Sequence, residues 1–151
     1  MSDMHELYQQ LIIDHGRKPR NFGELTSANH IKEGYNPLCG DKLTVYISEK
    51  KGVIEEIKFV GSGCAISMAS ASMMTQALKG KTLIEVQHYF EDFHEVVTTG
   101  SHEACDRLGK LAVLQGVSAY PARVKCATLC WHTLVAALRD SHEVISTESV
   151  E

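Results

Sequence analysis

No apolar run in this 151-residue chain approaches the roughly 20 residues that a membrane-spanning helix needs. An excess of basic charge is missing too. Lys and Arg number 15 against 19 Asp and Glu, for a net charge of -4. That balance argues against non-specific nucleic-acid binding, which requires a basic face to neutralise phosphates. The first residues, Met1-Ser2-Asp3-Met4-His5-Glu6, are polar and acidic and do not read as a secretory leader, so the expected compartment is the cytoplasm. There is no glycine-rich phosphate loop, no GxSxG elbow, no HExxH and no histidine pair at i,i+4. Gly61-Ser62-Gly63 lacks the lysine and the spacing that would make it cradle a phosphate. An even cysteine count is also lacking. Five cysteines fit poorly with a paired disulfide framework, and in a reducing compartment clustered thiols favour metal binding or catalysis.

The pattern that is present predicts a single domain over residues 1–151. A first helix is expected from about Asp3 to His15, with Leu7, Leu11 and Ile12 on one stripe and Gly16 as its stop. Residues 17–28 read as an irregular connector and residues 30–35 as a short strand. Residues 43–48 and 53–60 alternate apolar and polar side chains around the turn Glu49-Lys50-Lys51-Gly52, which predicts a hairpin. Helices follow: one from about Cys64 to Leu78, one capped by Thr82 with Glu85 completing a capping box and running to about Phe93. Another is expected over about 106–115, and a last one starts at Pro121. The tail after Asp140 reads as loose. Strands first and helices after give an α+β fold, a small antiparallel sheet with helices packed on one face.

Three of the thiols stand where metal ligands commonly stand. Cys39 lies in the Pro- and Gly-containing turn Asn36-Pro37-Leu38-Cys39-Gly40-Asp41, a poor place for core packing, and Gly40 permits a backbone angle that brings the thiol and the Asp41 carboxylate together. Cys64 opens a helix, where free N–H groups and the helix dipole favour the thiolate. Cys126 follows Arg123 and Lys125, cations that favour thiolate or, equally, face solvent. Cys130 lies one turn beyond Cys126, as a packing residue or a further thiol of the site. Cys105 reads as without a role, His132 as an exposed or rim histidine, and His15, His30 and His94 stay open as ligands. Three thiolates and a carboxylate suit Zn²⁺ and equally an iron–sulfur cluster; ligand type alone does not choose. A carboxylate is easier to displace than a thiolate, which suggests Asp41 as a ligand that can leave.

The motifs Asn36-Pro37-Leu38-Cys39-Gly40-Asp41, Gly61-Ser62-Gly63-Cys64-Ala65-Ile66-Ser67 and Arg123-Val124-Lys125-Cys126 resemble the three cysteine motifs of the IscU-like iron–sulfur assembly proteins. Lys125, where scaffold-type members carry histidine, and the long stretch 93–120 between the second and third cysteines resemble the SufU branch. The resemblance implies an IscU/SufE-like fold and a zinc site made by Cys39, Asp41, Cys64 and Cys126. It implies sulfurtransferase activity in which a cysteine desulfurase of the SufS type makes a persulfide and one of its side chains takes over a zinc position. The Cys39 thiolate so released accepts the sulfur, which passes to SufBCD-type assembly machinery. The alternative is a scaffold on which a [2Fe–2S] cluster is built on the same cysteines. Arg123 and Lys125 are candidates to steady a persulfide anion, and Cys130 is a candidate resolving or cluster-binding thiol.

Overall fold

The computed structural model describes residues 3–139 and 145–146. Helix α1 (Asp3–Arg17) precedes strands β1 (His30–Asn36), β2 (Asp41–Lys50) and β3 (Val53–Ser62). Then come α2 (Ala65–Leu78), α3 (Leu83–Thr99), α4 (His102–Leu108), a 3₁₀ segment (Gly109–Ala119) and α5 (Pro121–Leu138). The sheet order is β3-β2-β1-β4; the first three strands are antiparallel, and the two-residue β4 (Ile145–Ser146) adds in parallel to β1. The rest of the tail expected to be loose lies outside the described residues. Among the described residues no helix is long and apolar enough to cross a membrane.

The sheet buries one face. Leu43, Val45 and Ile47 of β2 and Ile57 and Phe59 of β3 are fully enclosed, as period-2 alternation demands. The alternation breaks at one point. Ser48 pairs with Glu56 but Glu49 pairs with Ile54, so Glu55 is an extra residue that flips the phase. Ile54, not Val53, therefore faces the core. Its backbone is held on the far side by the α2–α3 loop, through Ile54 N–H to Lys81 O (2.9 Å) and Gly80 N–H to Ile54 O (2.7 Å).

Helix α2 is buried almost all round, and its small residues Ala69, Ser70, Ala71 and Ser72 let neighbouring elements close on it. One of those neighbours is α1 with its following connector. Ser72 Oγ accepts the Arg20 N–H (2.8 Å) and is hydrogen-bonded to His15 Nδ1 (2.7 Å). The His15 pKa is lowered by burial and by nearby Arg20, which favours the neutral ring. Asn21 Nδ2 adds a bond to Thr75 Oγ1 at 3.0 Å. The connector is irregular, as expected, and lies along β3 through Gly23 N–H to Phe59 O and Phe59 N–H to Asn21 O.

The capping box of α3 is present in both directions: Glu85 N–H to Thr82 Oγ1 at 3.1 Å and Thr82 N–H to Glu85 Oε1 at 2.9 Å. The helix does not end near Phe93. It runs two turns further, burying Phe93, Val96 and Val97, and stops at Gly100 in the left-handed region (φ 73°). The helix expected over 106–115 is likewise redrawn. Ser101 caps α4 through the Ala104 N–H (3.3 Å), Gly109 (φ 60°) ends it, and the chain continues as a 3₁₀ segment. Phe93 stacks on the buried Trp131 of α5, ring centroids 4.7 Å apart.

The next residue on the same interface, His132, is half-buried against the rings of Phe90 (5.4 Å) and His94 (6.1 Å). Of the expected exposed or rim position, full exposure is ruled out. Burial, and then the charge of His94, depress its pKa to about 4. The unfolded chain takes up this proton near pH 6.5 and the folded chain only near 4. The stability contributed is therefore complete above pH 6.5 and is lost as pH falls towards 4. Because the ring keeps some solvent access, the loss is on the order of 2 kcal/mol. Denaturant titrations at pH 7 and pH 4.5 should show the wild-type protein losing about that much more stability than His132→Phe; equal losses would refute the assignment.

Candidate metal centre

Three chain segments meet at one end of the sheet. The β1–β2 turn carries Cys39, exposed to solvent, and Asp41, which opens β2 with no solvent exposure. Gly40 between them has φ 70°, the left-handed angle that reverses the chain within the turn. Cys64 is the N-cap of α2, and its Sγ accepts the Ser67 N–H at 3.4 Å. Cys126 sits in the second turn of α5 and is fully buried. Ligand atoms of Cys39, Asp41 and Cys126 all lie within 4.8 Å of one another, the only such group among the described residues. Cys39 Sγ is 3.2 Å from Cys126 Sγ. Cys64 joins them through Asp41: its Sγ lies 3.9 Å from Oδ2, and its N–H donates to Oδ1 at 2.8 Å. That approach explains Gly63. A Cβ there would lie 2.5 Å from Asp41 Oδ1, so any side chain would push the carboxylate out.

The thiols share protons unevenly. Cys64 is lowered to about 6, first by the hydrogen bond from Cys126 and then by the Ser67 and Ile66 N–H groups, against burial and the Asp41 charge. Cys126 is pushed up, first by its bond to the Cys64 thiolate, then by burial and by Cys39. Arg123, exposed at the start of α5, is held charged by its hydrogen bond to Cys126 and by Cys64 and Cys39. Arg123 thus stands beside the thiols; Lys125 is half-buried on the same helix turn.

The Asp41 carboxylate is buried. Both of its oxygens accept hydrogen bonds, Oδ1 from Cys64 and Oδ2 from Asn36 Nδ2 at 3.2 Å. Cys39 is the exposed member. Cys130 does not reach the site: it is fully buried one turn deeper, Sγ 3.5 Å from Ser70 Oγ, and burial pushes its thiol up to about 12. Its i+4 offset carries it along the α5 axis into the contact with α2, away from the turn. Cys105 is half-buried on α4, its pKa raised by burial and Asp106. His15 is tied to Ser72, His30 to Ala137 O and Glu49, and His94 packs against Phe90 and His132. None of the three belongs to the thiol cluster. Asn36 is the residue that sequence reasoning left without a role; the signal for it was its place at the head of an Asn-Pro turn.

Residues 7–127 match the family model described as the NifU-like N terminal domain. The chain belongs to that family. It is 41% identical over 133 residues to the zinc-dependent sulfurtransferase SufU of Bacillus subtilis, covering 88% of this chain and 90% of that protein. To the iron–sulfur cluster assembly scaffold protein IscU of Streptococcus pyogenes it is 36% identical over 141 residues, 93% of this chain and 88% of the relative. A crystal structure from Fervidobacterium islandicum, described as an iron–sulfur cluster assembly scaffold for the SUF system, superposes with a TM-score of 0.81 at 34% identity. It covers 89% of this chain and 98% of that one. This NifU-like chain is thus a SufU-type member of the IscU-like group, as its cysteine motifs led one to expect.

Proposed function

We propose that this protein is a zinc-dependent sulfurtransferase of iron–sulfur cluster assembly, working in the cytoplasm with a SufS-type cysteine desulfurase and passing sulfur on to SufBCD-type machinery. The observation that carries the reading is the asymmetry of the site: one exposed thiol, Cys39, on a turn beside three groups that are buried or capped. Three sulfurs and a carboxylate form a soft, anionic donor set that fits Zn²⁺, with Cys39, Asp41, Cys64 and Cys126 as ligands. When bound, zinc keeps thiols deprotonated near neutral pH and blunts their nucleophilicity until one is released. The Cys39 thiolate then attacks the outer sulfur of the donor persulfide. A bond forms between Cys39 Sγ and that sulfur, the donor S–S bond breaks, and the donor leaves as a thiolate with no net oxidation. Arg123 stands where it can offset the anionic charge of the new persulfide.

The second reading, a scaffold for a [2Fe–2S] cluster, is favoured by the relative named as an IscU scaffold; Lys125 before the third cysteine speaks for transfer. Elemental analysis and a visible spectrum of protein purified without oxygen separate the two. About one zinc per chain, by the four-ligand site, and no colour is expected. Iron with acid-labile sulfide and a brown spectrum would overturn the transfer reading.

A further inference from the structure

Asn36 is the last residue of β1, pairs across the turn with Asp41 and has no solvent exposure. Its amide reaches into the site from both ends. Nδ2 lies 3.2 Å from Asp41 Oδ2 and 3.5 Å from Cys126 Sγ, and Oδ1 accepts the Leu38 N–H at 3.2 Å. An amide nitrogen has two hydrogens, enough to serve both Asp41 Oδ2 and Cys126 Sγ. It carries no charge, so the donation persists at every working pH.

We infer that Asn36 is a positioning residue: it fixes Asp41 and Cys126 as immobile ligands, so that exchange at the centre falls on Cys39 alone. This rests on the metal-site reading above. The two groups that Asn36 touches are the two that are fully buried. Asp41 is clamped from both sides, Asn36 on Oδ2 and the Cys64 N–H on Oδ1. Cys39 sits three residues past Asn36, next to the capped Leu38 N–H, at the exposed crest of the same turn. One side chain thus closes the turn with its oxygen and orients two donors with its nitrogen. Hydrogen-bonding partners of metal ligands commonly tune affinity about 10- to 100-fold.

The informative variant is Asn36→Asp, which keeps the Oδ1 acceptor for Leu38 and the side-chain shape but replaces the donor with an oxygen facing the Asp41 carboxylate and the Cys126 sulfur. Asn36→Ala, which adds no charge, is the second variant in case the first does not fold. Thermal melts of the metal-stripped proteins establish folding. Chelator competition should then show zinc held at least about 10-fold more weakly than in the wild type. The cobalt(II)-substituted variant should show weakened tetrahedral d–d bands. Alkylation mapped by mass spectrometry should label Cys39 first in the zinc-loaded wild type and reach Cys126 in the variant. A folded variant with wild-type zinc affinity, cobalt spectrum and labelling order overturns the inference. Failure of the wild-type protein to take up zinc or cobalt overturns the metal-site reading itself, and the inference with it.

Discussion

Replacing Cys39 by alanine should abolish sulfur acceptance while the protein stays folded. The thiol is on an exposed turn, and its sulfur touches Cys126 rather than the core, so the truncation removes little packing. The other two thiols of the site are poor substitutes. Cys126 has no solvent exposure, and its proton is held by Cys64. Cys64 is lowered to about 6, yet it is half-buried and spends its sulfur as the cap of α2. Low pKa raises the thiolate fraction but lowers the intrinsic nucleophilicity of each thiolate, so access decides in favour of Cys39. Incubation with a cysteine desulfurase and cysteine, followed by intact-mass analysis, should show one added sulfur on the wild-type chain and none on Cys39→Ala. Full persulfide loading of that variant would remove Cys39 as acceptor.

Cys126→Ala should cost metal occupancy and stability together. Cys126 draws the last helix to the β1–β2 turn through contacts with Cys39 and Asn36. A ligand that binds only the folded state at about 100 times its dissociation constant adds about 2.7 kcal/mol. For a chain of this size that is roughly a 5–10 °C rise in melting temperature. Chelation should therefore bring wild-type melting down by about that much, while Cys126→Ala should melt low with or without chelator. Wild-type melting that is indifferent to metal removal would contradict the coupling of site and fold.

Much of this was legible in the chain. The hairpin announced itself because one face of β2 and β3 is buried and the other is not, and Thr82 with Glu85 spelled a capping box that the backbone obeys. Three cysteine motifs brought the right segments into view because each sits where backbone geometry is constrained: a Gly turn, a helix cap and the first turns of a Pro-started helix. What escaped was decided by packing. The extra residue at Glu55 follows from strand pairing at Ser48 and Glu49, which no single-strand pattern encodes. The overrun of α3 to Gly100 follows from burial of Val96 and Val97 against the rest of the core. His132 read as peripheral because helix phase says nothing of the Phe90 and His94 rings that cover it. Cys130 shares a side of α5 with Cys126, but position along the axis, not angle, keeps it from the site. Asn36 was inside the motif all along; a buried amide between a carboxylate and a thiol is a fact of three dimensions.

The centre draws on donors far apart in the chain: 23 residues separate Asp41 from Cys64, and 87 separate Cys39 from Cys126. A polypeptide emerging from the ribosome therefore presents two thiols and a carboxylate long before the third thiol exists. Until α5 is out and docked, any ion it picks up is held by an incomplete, open set of ligands. On the reading proposed above, faithful loading is then an event of the finished chain.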